Sequence, residues 1–292
     1  MQSSKKDRIN TIILLLPWIV TFLIFWLYPL MNAAYLSLTN YNTLTDTSEF
    51  IGFRNYIRVF SDEVFWISLK NTLIFTFCTV PVTSALAIGL AVMLNNKFVK
   101  IKSFFRAAYF MPTVTSLVVI ALIFTNLYSK DGYINFLLSI TGFPFPERGF
   151  LLDTDTALPA IMLMDVWISA GYYMVLVLAG LQTIPDSLYD SAKLMGAGAL
   201  RQFFKITLPL LKPTLLFILV INTIKSFQIF IEIFVMTKGG PLNSTMTLVY
   251  YIFSNAFEKN DSMGYASALA FILFFILLVL SFIQIKILRE KD

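Results

Sequence analysis

Apolar residues gather in six runs along the chain: Thr11 to Met31, Asn71 to Leu94, Ala107 to Tyr128, Ala157 to Gln182, Pro213 to Met236 and Ser267 to Ile287. A helix needs about 20 predominantly apolar residues to cross a bilayer, and each run supplies them. The pattern predicts an all-α polytopic membrane protein with six transmembrane helices. The spans and their short loops use the whole chain. One membrane domain over 11–287 is therefore expected, with tails at 1–10 and 288–292.

One polar stretch interrupts this pattern. Leu188 to Pro213 reads LYDSAKLMGAGALRQFFKITLPLLKP and separates two hydrophobic runs. Asp190, Lys193, Arg201 and Lys205 would each cost roughly 3 kcal/mol at the bilayer centre on insertion scales, so the stretch lies outside the hydrocarbon. Pro185 and Asp186 mark a helix start, Tyr189 to Met195 is helix-forming, and Gly196 and Gly198 mark a stop. A second short helical piece, Ala199 to Ile206, runs up to Pro209. The loop 185–212 thus reads as a helix–turn–helix suited to docking on another protein.

Basic residues set the orientation, because Lys and Arg collect in cytoplasmic loops. Lys5, Lys6, Arg8, Lys97, Lys100, Lys102, Arg106, Lys193, Arg201, Lys205, Lys212, Lys286, Arg289 and Lys291 fall on one side. The other side holds Arg54, Arg58, Lys130, Arg148, Lys238 and Lys259, with Lys70 at a span edge. Both termini and the Asp190 loop are therefore expected in the cytoplasm. The net charge of +5 follows this asymmetry and does not indicate nucleic acid. The mean hydropathy of +0.76 and 13% charged residues leave no soluble class open.

Candidate chemistry is sparse. The chain has no histidine, the commonest general base and metal ligand, and its one cysteine, Cys78, lies inside an apolar run. No metal site is expected. No phosphate-binding loop, HExxH or GxSxG motif is present. Asp153 and Asp155 form a carboxylate pair in a loop without partner chemistry, which reads as solvated.

Polar residues inside the spans matter more. Asp165 lies in the fourth run; Asn222, Lys225, Gln228 and Glu232 lie in the fifth. On one continuous helix, Lys225 and Glu232 are two turns apart and share a face with Asn222 and roughly with Gln228. An intramembrane ionisable residue is a functional candidate by default. That face either lines a translocation path or ties the bundle together, with Lys225 paired to Asp165 or Glu232. Elsewhere, Phe53-Arg54-Asn55-Tyr56 reads as a helix start in the outer loop Asn32 to Lys70. The inner gap Asn95 to Arg106 reads as a topology anchor.

Two motifs resemble a known family. Asp190-Ser191-Ala192, then Gly196, Ile206 and Pro209, match in spacing the Glu-Ala-Ala, Gly, Ile-x-x-Pro pattern in the cytoplasmic loop of permease subunits of binding-protein-dependent ATP-binding cassette (ABC) importers. Asp190 replaces Glu on a shorter stem, Ser191 replaces Ala, and Met195 stands where an Asp commonly precedes the Gly. Thr237, Gly239, Gly240 and Pro241, with Ser244-Thr245, Tyr250-Tyr251 and Gly264-Tyr265-Ala266-Ser267-Ala268, resemble the fifth-to-sixth span segment of maltose-type carbohydrate permeases. The phrase IGFRNYIRVFSD is also similar to a segment of sugar permeases.

The resemblance implies a non-catalytic, multi-pass subunit of a bacterial inner membrane. Its implied partners are a second, homologous permease subunit, two ATPase subunits that bind ATP and Mg, and an extracytoplasmic solute-binding protein. No cofactor is implied in this chain. The Asp190–Ile206 unit would seat in an ATPase groove. The outer loop Ser129 to Thr156, with Gly142, Pro144, Pro146 and Gly149, either touches the binding protein or only joins two spans. The alternative function is a secondary ion-coupled transporter working through Asp165, Lys225 and Glu232. Inverted repeats and broken helices would mark it, and the Asp190–Pro213 stretch would then have no explanation. An intramembrane enzyme is disfavoured by the missing His and lone Cys78.

Overall fold

The computed structural model describes residues 5–42, 47–96, 99–142, 146–259 and 263–288. Residues 1–4 of the N-terminal tail, Lys97, Pro144, and Arg289 and Lys291 of the C-terminal tail lie outside the described residues. The elements, in order, are α1 (Lys5–Phe22), a π turn (Leu23–Leu27), α2 (Tyr28–Ser37), β1 (Thr39–Asn42), β2 (Thr47–Phe50), α3 (Arg54–Phe60), α4 (Glu63–Asn95), α5 (Lys102–Val114), α6 (Leu117–Leu127) and α7 (Tyr133–Thr141). A 3-10 turn (Phe150–Leu152) precedes α8 (Ala157–Leu181). Then follow α9 (Asp186–Leu194), α10 (Ala199–Gln202), a π turn (Phe203–Thr207), α11 (Leu208–Leu210), α12 (Lys212–Phe227), α13 (Ile231–Met236), α14 (Leu248–Phe253), a π turn (Ser254–Glu258) and α15 (Met263–Leu288).

The architecture is helical, as the apolar runs predict. A two-stranded antiparallel hairpin, β1 with β2, is the addition; it pairs Thr39 with Phe50 and Asn42 with Thr47. Among the described residues five helical stretches are long and apolar enough to cross a membrane: Ile12–Ser37, Glu63–Asn95, Ala157–Leu181, Lys212–Met236 and Met263–Ile287. The remaining span, third in chain order and expected as one run over Ala107 to Tyr128, is two helices, α5 and α6, bent by 93°. Pro112 removes the N–H that would bond the carbonyl four residues earlier. Thr115 is then extended (φ −80°, ψ 147°), with its hydroxyl bonded to the Met111 carbonyl at 3.0 Å. Hydropathy counts Pro, Thr and Ser only weakly, so the run concealed the bend.

Contacts divide the chain into two units. Unit 1 is residues 1–62 and 252–273. Within it, α3 is tied to the end of α2: the Asn55 side-chain amide donates to the carbonyls of Ser37 and Thr39, each at 2.9 Å. The hydroxyls of Ser37 and Tyr56 lie 2.9 Å apart. On the first turns of α15, the Tyr265 hydroxyl donates to Asp62, and Arg58 lies 4.5 Å above the Tyr265 ring.

Unit 2 is residues 63–251 and 274–292. Its central helix is α8, buried at most positions and packed on α4, α5 and α12. Asp153 braces the turn that leads into α8, accepting from the N–H groups of Asp155 at 2.9 Å and Thr156 at 3.2 Å. Asp153 is thus partly structural. Gly171 permits the closest approach: a Cβ there would overlap the backbone carbonyl of Tyr109 on α5. Gly171→Ala is expected to cost about 1–3 kcal/mol through forced displacement of α5. A lower thermal midpoint of the detergent-solubilised protein would show it. An apolar cluster of Ala87, Ala91, Leu94, Met174, Leu178 and Leu211 joins α4, α8 and the start of α12, with Tyr189 and Ile206 packed against it. This cluster anchors the helix–turn–helix to the bundle.

Candidate functional site

The helix–turn–helix forms where it was expected. Pro185 is extended (φ −62°, ψ 131°) and α9 starts at Asp186, whose carboxylate suits a helix N-terminus. The helix stops at Gly196, which is left-handed at φ +75°. Gly196 N–H donates to the Lys193 carbonyl, and Ala197 N–H to the Ala192 carbonyl, both at 2.9 Å. These two bonds are the paired 6→1 and 5→2 closures of a Schellman cap. Gly198 is extended, α10 begins at Ala199, and the Gln202 side chain donates to the Ala197 carbonyl at 2.7 Å.

The loop has two faces. Ala192 is buried and Ile206 half-buried against the bundle, while the hydroxyls of Tyr189 and Thr207 meet at 2.9 Å and tie α9 to the second helical piece. Asp190, Ser191 and Pro209 are exposed. Asp190 accepts from Lys193 at 3.0 Å, an exposed pair of small energetic worth. Pro209 does not end the second piece. It sits just after the π turn Phe203–Thr207, which accommodates the local change in hydrogen bonding, and helix continues into α12. Leu194, Met195 and Leu200 are 91%, 80% and 77% exposed around the turn. Reading for charge and Gly missed this apolar crest; the Leu-Met dipeptide beside the Gly was its signal.

The intramembrane residues divide differently from the expectation of one shared face. Lys225 pairs with Asp165 on α8, with Nζ 3.7 Å from Oδ1. Ser169 bridges them: it accepts from Lys225 Nζ at 2.8 Å and donates to Asp165 Oδ1 at 3.3 Å. The Asp165 side chain is 6% exposed and that of Lys225 49%. Ser169 was not foreseen, although it lies one turn beyond Asp165. Asn222 is buried, and its Nδ2 has no hydrogen-bond partner among the described residues. Gln228 is exposed at the end of α12.

The shared face of Lys225 and Glu232 is a correction. The helix ends at Phe227, Phe230 turns away at φ −142°, ψ −58°, and α13 restarts at Ile231. Glu232 is buried, its carboxylate hydrogen-bonded to backbone at Phe230 and Glu232. Two-turn spacing therefore places Lys225 and Glu232 in different surroundings. The sequence Ser226 to Ile231 is aromatic and β-branched, with weak helix propensity but no Gly or Pro to announce a break. Thr247 donates to the Ile229 carbonyl at 3.3 Å within the break.

Beyond α13 the Thr237 to Pro241 segment is tightly built. Thr237 and Thr245 hydroxyls meet at 2.7 Å, and Thr245 donates to the Gly240 carbonyl at 2.7 Å. The Asn71 side chain donates to the carbonyls of Asn243 (2.9 Å) and Met246 (3.0 Å), which clamps the segment onto α4.

Residues 84–289 match the family described as "Binding-protein-dependent transport system inner membrane component". The chain is 36% identical over 285 residues to the lactose transport system permease protein LacF of Rhizobium radiobacter, covering 97% of this chain and 95% of that one. It is 36% identical over 293 residues to the sulfoquinovosyl glycerol transport system permease protein SmoG of Agrobacterium fabrum (98% and 92% covered). It is 33% identical over 280 residues to the trehalose/maltose transport system permease protein MalF of Thermococcus litoralis (96% and 93%). A chain of the bacterial ABC transporter that imports the acidic polysaccharide alginate superposes with a TM-score of 0.84 at 25% identity, covering 98% of this chain and 96% of that one.

Proposed function

This chain belongs to the family of binding-protein-dependent transport system inner membrane components, and we propose that it forms one half of the translocation path of an ATP-driven carbohydrate importer. Relatedness over nearly the full chain to permeases named for lactose, sulfoquinovosyl glycerol and trehalose/maltose carries this reading. The helix–turn–helix supports it, since a structured loop with an exposed apolar crest is built for a partner.

A second permease subunit completes the path, and two ATPase subunits hold ATP and Mg. A solute-binding protein delivers cargo on the side opposite the basic loops, and the termini lie with the ATPases. The Leu194–Met195–Leu200 crest seats in an ATPase groove, Asp190 makes a charge-assisted contact at its edge, and the Schellman cap fixes the crest's direction. Motion of the seated loop passes through Tyr189, Ile206 and the Leu211 cluster into α4, α8 and α12. At the far end of α12, the half-exposed Lys225 amine, held by Asp165 and Ser169, faces the path and donates to sugar hydroxyls. Asn222 and Gln228 flank it.

The broken spans, α5–α6 and α12–α13, and the buried Asp165–Lys225 pair are features shared with ion-coupled transport. That alternative leaves the crest unused. Leu194→Asp is expected to weaken ATPase association at least tenfold, because an apolar side chain of this size contributes about 1.5–3 kcal/mol on burial. Quantitative co-purification of the ATPase from membranes reads the effect.

The deciding test is purification of the tagged chain from its host, followed by reconstitution in vesicles. A second permease and an ATPase should co-purify, and ATP hydrolysis should rise with the binding protein and a sugar. Uptake by the chain alone, without ATP and collapsed by an ionophore, would overturn the importer reading.

A further inference from the structure

The outer-loop helix α3 presents an exposed apolar ridge. Phe53, Ile57 and Phe60 are 71%, 67% and 57% exposed. At about 100° per residue they fall within an arc of roughly 60°. Asn55 and Val59 are buried on the opposite side. Arg54 and Arg58 lie along one side of the ridge, and Arg58 is held over the Tyr265 ring.

The height of α3 follows from what holds it. Asn55 and Tyr56 bind the last residue of the first span, Ser37. Arg58 and Asp62 bind Tyr265, in the first turn of the last span. Only Ser61 and Asp62 separate α3 from the start of the second span at Glu63. Two contacts, at Ser37 and at Tyr265, thus hold the helix beside the ends of the first and last spans. An amphipathic helix with an aromatic–aliphatic ridge and arginines along one side at that height matches an interfacial helix, whose apolar face sinks about 5–10 Å into the headgroup and acyl boundary.

We infer that α3 is a membrane-surface anchor, with Phe53, Ile57 and Phe60 among lipid acyl chains and Arg54 at the headgroup phosphates. The inference rests on the chain spanning a membrane and not on its cargo. A permanently immersed ridge fixes α3 against the bilayer, so the ends of the first and last spans are referenced to one surface.

The test places a nitroxide at Phe53→Cys, Ile57→Cys, Phe60→Cys and, as a reference, Glu49→Cys, each in a Cys78→Ser background. The whole complex is reconstituted in phosphatidylethanolamine/phosphatidylglycerol nanodiscs. Collisional relaxation by oxygen, which concentrates in lipid, is compared with that by a water-soluble nickel chelate. The oxygen-to-nickel ratio at the three ridge positions should exceed that at Glu49→Cys several-fold. Ratios equal to the reference would place the ridge in water and overturn the inference. Protection from both reagents would overturn it too, and would assign the ridge to the second permease or the binding protein. The readout is independent of transport, so failure here and failure of the importer reading are distinguishable.

Discussion

Gly196→Pro abolishes transport and uncouples ATP hydrolysis while leaving membrane insertion and span packing unchanged; this is the largest functional effect expected of any single substitution in the loop. Gly196 sits at φ +75°, and proline is locked near φ −65°. Proline also lacks the N–H that Gly196 gives to Lys193. Both closures of the cap fail, and the Leu194–Met195–Leu200 crest loses its fixed direction. A graded series separates geometry from bulk. A Cβ at Gly196 meets nothing within 4 Å, so Gly196→Ala has only the backbone cost of a left-handed residue, roughly 1–2 kcal/mol. Gly196→Asn tolerates that conformation better and should transport nearly as well as the parent. Uptake and ATPase assays on the series, with surface expression as control, check the order Gly, Asn, Ala, Pro. Normal transport by the proline variant would show that the turn does not carry the coupling.

Lys225→Met is expected to be the most damaging change inside the membrane. It strands the Asp165 carboxylate, 6% exposed, with Ser169 as its remaining hydrogen-bond partner. Breaking a buried pair this way costs about 3–5 kcal/mol, and the half-exposed lysine puts the effect at the lower end. Asp165→Asn should cost less, since it leaves a half-exposed ammonium that can hydrate. The double variant Asp165→Leu with Lys225→Met removes both charges and should recover most of the stability. If Lys225 donates to the cargo, the double variant regains its thermal midpoint but not its apparent affinity for sugar in transport. If the pair only ties α8 to α12, both recover together. Thermal unfolding and concentration-dependent uptake on the same three variants distinguish the two roles.

The parts legible from sequence are those written in local chemistry. Pro185, Asp186, Gly196 and Gly198 punctuate the helix–turn–helix, and each does locally what its residue type dictates. Asp165 and Lys225 announced themselves because a charge in lipid requires a partner, and the partner was found. What escaped was written in tertiary contacts. The break after Phe227 carries no punctuation; it is stabilised by Thr247, eighteen residues away from the carbonyl it binds at Ile229. The bend at Thr115 was hidden because hydropathy sees length and not direction. The β1–β2 hairpin has no alternating apolar strand signal, as all four residues of β2 are exposed. The apolar crest beside Gly196 was passed over because solvent exposure belongs to the fold and not to the residue.

The near-continuous helical run from Ala199 to Phe227 has a mechanical consequence. It packs tightly on α8 at Gly180, where a Cβ would come within 2.7 Å of the Thr214 hydroxyl. That contact divides the run into arms of about 22 Å toward the loop and about 17 Å to Lys225, at 1.5 Å per residue. A stiff beam pivoting there moves its shorter arm by roughly three-quarters of the displacement of its longer one. Displacement of the crest would therefore reappear beside Lys225 at about three-quarters of its amplitude and in the opposite sense, with the break at Gln228 confining that stroke to α12.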